Sequence, residues 1–242
     1  MKKVVVLVDG QNLYYSLHGL QILEKDIDWN KFINSLLETN DELVSTYWFR
    51  PAKIHDTAYT DYGIRQNVIK TNYNGCLQNF RDGKEDLIDP NTIKKIDAEC
   101  KEVKDWLEKQ QKRFSDIEYR YDQLCLDNED IEVIKTGIVK VNPYKQLYIG
   151  EKGVDIALAV KMIALSVEQK ADKIILMSGD YDYAEAIKYV KNNMTKIHIV
   201  KIHKGYPPQN KNMSRDLSVM ADKILDVYEA NIRSQFLRNI VT

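Results

Sequence analysis

The chain has 242 residues, 35 Lys and Arg against 36 Asp and Glu, a formal net charge of −1, and 44% hydrophobic residues. That length buries a full core and favours one domain with an insertion over two domains, while the near-neutral balance means that a nucleic-acid partner has to be met by a local basic patch. Three cysteines (Cys76, Cys100, Cys125) without a CxxC pair, four histidines without zinc spacing, five apolar residues between Lys3 and Asp9, and no run of membrane-spanning length point to a soluble cytoplasmic protein with reduced thiols, no signal peptide and no membrane partner.

Val4-Val5-Val6-Leu7-Val8 has the wholly apolar pattern of a strand buried on both faces, as in a parallel sheet covered by helices. It ends in Asp9-Gly10-Gln11-Asn12, which opens a helix expected near 11–19. A second helix, near 29–39, carries Trp29, Phe32, Ile33, Leu36 and Leu37 on one face. Leu43 to Phe49 reads as the next strand and stops at Arg50-Pro51. Strand, helices, strand is the opening of a doubly wound sheet.

Residues 52–130 change texture. Tyr59, Tyr62, Gln66, Ile69, Tyr73, Cys76 and Phe80 recur three and four apart, and the spacing resumes from Ile93 to Leu124 after a polar turn. Asp89-Pro90 supplies an N-cap and a first helical residue. Two such seams predict an antiparallel helical hairpin inserted into one domain spanning 1–242. The second helix, 90–126, would be roughly 50 Å long and outlasts its partner, so the seam at Phe114, Ile117, Tyr121 and Leu124 either docks on the core or joins two copies as a homodimer.

Ile131 to Gly137 predicts a third strand, and Asn142-Pro143 suggests a small hairpin within 139–149. Glu151 to Val160 opens a helix apolar on nearly every side, hence buried, with Asp155 in its first turn. On spacing alone Asp155 reads as a carboxylate favoured by the helix dipole. Ile174 to Met177 is a second wholly apolar run, ending in Ser178-Gly179-Asp180-Tyr181-Asp182-Tyr183 and passing into a helix near 183–193. Asp182 with Glu185 has the pattern of a capping box, so the two aspartates are open to a capping and a functional reading. A strand at 196–202 makes five, and a helix near 214–230 is expected to close the core.

From Ala186 to Arg215 there is no acidic side chain, while Lys188, Lys191, Lys196, Lys201, Lys204, Lys211 and Arg215 fall there with Tyr189 and Tyr206. A solvated face explains such a run, and so does a surface that tracks an RNA backbone and stacks its bases.

Two strands ending in carboxylates beside a switch in strand order would gather Asp9, Asp180 and Asp182 in the crevice where such sheets bind ligands. Like charges that close repel unless a cation intervenes, and oxygen donors without His or Cys favour Mg²⁺ or Mn²⁺. Lys152 and Arg50, near element ends, are candidate phosphate contacts or else surface charges.

Val8-Asp9-Gly10-Gln11-Asn12-Leu13, Gly137, Lys152-Gly153-Val154-Asp155-Ile156-Ala157-Leu158, Ser178 to Tyr183, and Ser214-Arg215-Asp216-Leu217 through Ala221-Asp222 resemble the NYN family, the LabA-like branch of PIN-type nucleases. The resemblance spans about 3–50 and 130–228. It implies a PIN-like, Rossmann-like three-layer α/β/α sandwich with a five-stranded, mainly parallel sheet in the order 3-2-1-4-5. It also implies an acidic metal site of Asp9, Asp155, Asp180 and Asp182, with Asn12 and Ser178 as polar helpers, which replaces the dipole reading of Asp155. The implied activity is a metal-dependent ribonuclease acting on RNA or other single-stranded nucleic acid, with Mg²⁺ or Mn²⁺, leaving a 5′-phosphate and a 3′-hydroxyl. A silent RNA-binding module on the same fold is the alternative. A HAD-type phosphatase fits less well, because Asp9 is followed by Gly10-Gln11 and not by a second aspartate two residues on, and a Toprim-like site would want Glu on the first strand. The Tyr181-Asp182-Tyr183 run departs from the family's small residue and Asp-Phe, which bears on substrate access without removing a ligand.

Overall fold

The structure is a computed structural model that describes residues 1–55, 59–209 and 215–238; Lys211 and Ser214 lie outside them. In chain order the strands are β1 (Lys2–Asp9), β2 (Asp41–Arg50), β3 (Lys53–Ile54), β4 (Ile131–Lys135), β5 (Ile138–Asn142), β6 (Leu147–Lys152), β7 (Lys173–Met177), β8 (Lys196–His203) and β9 (Lys223–Tyr228). The helices are α1 (Gly10–His18), α2 (Trp29–Ser35), α3 (Asp61–Asn72), α4 (Leu77–Arg81), α5 (Pro90–Asp127), α6 (Val154–Val167), α7 (Ala184–Asn192) and α8 (Arg215–Met220). The chain divides into two compact units, one of residues 1–51, 119–137 and 153–242, the other of 52–118 and 138–152.

The first unit is built on a parallel sheet of six strands in the order β4-β2-β1-β7-β8-β9. Alternation along β1 explains why the strand is apolar throughout. Val4, Val6 and Val8 enter a cluster with Leu13 and Leu17 of α1 and Phe32 and Ile33 of α2. Val5 and Leu7 enter a second cluster with Leu158 and Met162 of α6 and Ile187 and Val190 of α7. With helices on both faces, neither side of the strand meets water. The sheet reverses direction of growth between β1 and β7, which places Asp9 and the residues after Met177 at the switch point.

Strand count and order differ from the expected five by one strand. The helix expected over 214–230 is only six residues of α8 followed by β9, which pairs in parallel with β8 from His198↔Lys223 to His203↔Tyr228. Leu217, Met220, Ala221 and Ile224 do recur at helical spacing, but Asp222 ends the helix. Its carboxylate accepts from Ile197 N at 2.9 Å and so ties this point of the chain to the start of β8. Beyond it, Lys-Ile-Leu-Asp-Val-Tyr supplies β-branched and aromatic side chains to an edge that would otherwise be unpaired.

Two further expectations at α6 need correction. The helix begins at Val154, not Glu151, because Glu151 and Lys152 finish β6 and Gly153 turns the chain with φ +88°. It is also not buried all round. Leu158 and Met162 face the sheet, while Ile156 (70% exposed), Val160 and Val167 form a stripe turned to solvent. One sheet face covers only one side of a helix, so an apolar far side is left open.

In the second unit, α3, α4 and residues 90–118 of α5 share a core of Ile64, Val68, Ile69, Phe80, Ile96, Cys100, Val103 and Leu107. Thr60 caps α3, and Asp89 Oδ2 accepts from Thr92 N at the start of α5, as the Asp89-Pro90 pair predicts. This unit also holds a small sheet, β3-β5-β6, in which β5 and β6 are the hairpin expected around Asn142-Pro143. The late seam of α5 docks within the described chain. Phe114 packs on the second unit's core, and Tyr121 and Leu124 pack on the cluster of α1 and α2, while Ile117 stays 41% exposed. Among the described residues no helix is long and apolar enough to cross a membrane.

Candidate functional site

At the carboxyl end of β1, Asp9 is 3% exposed and serves as the N-cap of α1, its Oδ1 accepting from Asn12 N at 3.0 Å. The next residue must be glycine. A Cβ on Gly10 would stand 2.7 Å from the Phe49 carbonyl oxygen and 2.9 Å from Trp48 Nε1. This close approach lets α1 start directly above β2. Val8 pairs with Met177, so Ser178 faces Asp9 across the strand ends, and its Oγ donates to Asp9 Oδ2 at 3.0 Å. Asn12 completes the seam, its Oδ1 accepting from Gly179 N at 3.1 Å. A small pocket beside it is lined by Asn12, Ser16, Met177, Ser178, Gly179 and Val200.

Asp155 and Asp9 meet at Tyr183. The Tyr183 hydroxyl lies 3.1 Å from Asp9 Oδ2 and 3.0 Å from Asp155 Oδ1, and its ring is fully buried in the cluster of α6 and α7. Burial pushes the Asp9 carboxyl up. Bonds from Asn12 N, Ser178 and Tyr183 pull it back, and the Asp155 charge adds to the rise. Asp155 is also raised, by burial first and then by Asp180 and Asp182, against the Tyr183 bond. Tyr183 in turn is held far above the ordinary phenol range by burial and by both carboxylates. The charges of four aspartates therefore act on one small region.

The family model of the NYN domain matches residues 3–228. The chain belongs to the NYN family. No curated protein and no solved structure matches it. As an NYN domain it carries a PIN-like, nuclease-type α/β fold with nucleic acid as the substrate class.

For the divalent metal that such domains use, the NYN site offers a chemically fitting set: oxygen donors only, under mutual repulsion that a cation would relieve. The spacing is another matter. Among the described residues no three or more His, Cys, Asp or Glu side chains converge closely enough to hold an ion, and a phenol hydroxyl stands between the two carboxylates that do face each other.

The remaining sequence candidates fall in several places. Asp180, not Asp182, is the capping residue: its Oδ1 accepts from Asp182 N at 3.1 Å, because the chain enters a turn of 3₁₀ helix (Tyr181–Tyr183) before α7. Asp182 is exposed. Arg50 is only 3% exposed; its guanidinium lies 4.8 Å over the Tyr121 ring and its charge lowers the pKa of Glu24, so it presents no open face to a phosphate. Lys152 belongs to the second unit, where it lies near enough to Lys140 to lower the latter's pKa. Part of the basic run is occupied within the chain. Lys188 pairs with Glu185 at 2.6 Å, Lys191 donates to the Met220 carbonyl oxygen at 2.6 Å, and Lys196 is 3.4 Å from Asp222. Lys201 is half-buried near the end of β8 and Lys204 exposed just beyond it, one strand from the switch point, with Tyr206 85% exposed.

Tyr183 is the site residue that sequence reasoning missed. Its only local signal was a tyrosine in the first turn after two aspartates, which helical spacing assigns to the core. The core does take the ring; the hydroxyl goes to the site.

Proposed function

We propose that this NYN domain is a metal-dependent ribonuclease acting in the crevice between β1 and β7. The observation that carries the reading is the meeting of Asp9 and Asp155 on one buried hydroxyl at the switch point, with Asp180 and Asp182 close enough to raise Asp155. Structural needs explain one capping aspartate, but not a cluster that destabilises itself electrostatically. Asp9, Asp155, Asp180 and Asp182 supply the oxygen donors that would hold Mg²⁺ or Mn²⁺ once drawn together, and the ion when bound supplies water activation and charge stabilisation for phosphodiester hydrolysis. The chain's own residues do the positioning. Ser178 Oγ and Asn12 N fix both oxygens of Asp9, and Asn12 Oδ1 holds the Gly179 turn against α1. Lys201 and Lys204 are suited to phosphates of the bound strand, and exposed Tyr181 to stacking on a base beside Asp180.

The test is cleavage of labelled RNA and DNA by the purified chain with Mg²⁺, Mn²⁺ or EDTA. Cleavage of RNA with either metal and none in EDTA is expected; intact RNA under all conditions overturns the proposal. The lack of a converged group of three metal-binding side chains among the described residues favours a second reading, an RNA-binding module without hydrolysis. That reading predicts saturable, salt-dependent RNA binding in the same samples with no cleavage.

A further inference from the structure

We propose that the pocket beside Asp9, walled by Asn12, Ser16 and Ser178, receives a ribose 2′-hydroxyl and is where the chain tells RNA from DNA. The inference rests on RNA as the ligand, which the hydrolytic and the binding-only readings share, and it needs no metal ion.

The pocket lies between α1 and the carboxyl ends of β7 and β8, with Met177 and Val200 of the buried cluster as its floor. It has room for one water-sized group, too little for a base. What it offers that group follows from bonds made inside the chain. Ser16 Oγ donates its only proton to the Asn12 carbonyl oxygen at 2.9 Å, so towards the pocket it can only accept. Asn12 Oδ1 accepts from Gly179 N at 3.1 Å, which fixes the amide and leaves the Nδ2 protons as what the side chain can donate. An acceptor and a donor side by side suit a hydroxyl, which gives one bond and takes one. A phosphate oxygen can only accept, and would face the Ser16 lone pairs. The methylene that deoxyribose carries at the same carbon leaves both groups unpaired.

Position makes the sugar the fitting occupant. Ser178 is common to the pocket and the carboxylate cluster, since its Oγ donates to Asp9 Oδ2 at 3.0 Å. In RNA the 3′ oxygen of a phosphodiester and the 2′-hydroxyl sit on neighbouring ribose carbons. A phosphate held on the Asp9 side of Ser178 therefore brings its own 2′-hydroxyl to the pocket side. Hydrolysis by water leaves that hydroxyl unreacted and free to be read.

The experiment measures binding of the full chain to fluorescently labelled single strands by anisotropy in EDTA. The strands share one uracil-containing sequence and carry ribose, 2′-deoxyribose or 2′-O-methylribose. Wild type should bind the ribose strand at least about fivefold more tightly than either other strand, as two net hydrogen bonds allow. The methyl ether cannot donate to Ser16 and is too large for the pocket. Ser16→Ala should weaken ribose-strand binding by roughly two- to tenfold and leave the deoxyribose strand unchanged. Alanine suits the helix, and a serine bond to the carbonyl four residues back adds little to it, so this variant should melt with wild type. Ser16→Val, which fills the pocket, should remove the preference as well. Equal binding of the ribose strand and either other strand by wild type, or a folded Ser16→Ala or Ser16→Val that keeps the full preference, overturns the pocket's role and leaves the RNA reading standing. No binding of RNA by folded wild type overturns both.

Discussion

Replacing Glu24 with Gln tests whether the buried cluster beside β2 is read correctly. Glu24 Oε2 accepts from the Tyr121 hydroxyl at 3.2 Å, and the Arg50 guanidinium lies over the Tyr121 ring. Burial pushes the Glu24 carboxyl from an ordinary 4.5 to about 7, against the pull of Tyr121, Arg120 and Arg50. The folded value is the raised one, so the stabilising contribution is complete below pH 4.5 and is lost as pH rises through 7. At 1.36 kcal/mol per pH unit the loss is about 3 kcal/mol. Other groups titrate in the same window. His198, lowered chiefly by burial and next by Lys173, loses stability as pH falls below 6.5, in the opposite sense. The quantity to measure is therefore the gap between wild type and Glu24→Gln, from urea unfolding at pH 5 and pH 8. Gln keeps an acceptor for Tyr121 and does not titrate. The gap should move by about 2.5 kcal/mol in favour of Gln between the two pH values, since part of the loss already lies below pH 5. A gap that stays constant would mean that Glu24 is solvated in solution, and the buried placement of Arg50 would lose its support.

Asp9→Asn and Asp155→Asn should each cost at least about a hundredfold in RNA cleavage with Mg²⁺ or Mn²⁺, as removal of a metal ligand does; near-wild-type turnover in Asp155→Asn would return that residue to a helix-dipole role. Gly10→Ala forces a methyl group against the Phe49 carbonyl oxygen and Trp48, so it should lower stability by about 1–3 kcal/mol and the melting temperature by a few degrees per kcal/mol. An unshifted melt would show that α1 has room to back away from β2. Lys201→Glu with Lys204→Glu should weaken RNA binding and flatten its dependence on salt, since each lost phosphate contact releases fewer counterions. An unchanged salt slope assigns both lysines to a solvated face.

Local pattern was enough to establish the apolar runs of β1 and β7, the aspartates that end or follow them, the Asp89-Pro90 start of α5 and the helical spacing of α3 and α5. Each rests on the chain's own periodicity and turn chemistry, which do not depend on distant partners. Asp9, Asp180 and the strand-end crevice were legible for the same reason. What tertiary structure decided are the cases in which a second segment competes for the same residues. Lys223–Tyr228 became a strand because β8 presented an open edge, although helical spacing ran on through Ile224. Arg50 turned away from solvent because the end of α5 brought Tyr121 over β2 and Glu24 lay beside it. The N-cap fell to Asp180 once a 3₁₀ turn delayed the helix. Tyr183 is the sharpest instance. Its ring answers to the local helical period, but its hydroxyl meets two carboxylates from β1 and α6 that only the register of β1 against β7 and the packing of α6 bring to it. Periodicity reports which face of an element is apolar; which polar atom waits on the other side is set by segments far away in the chain.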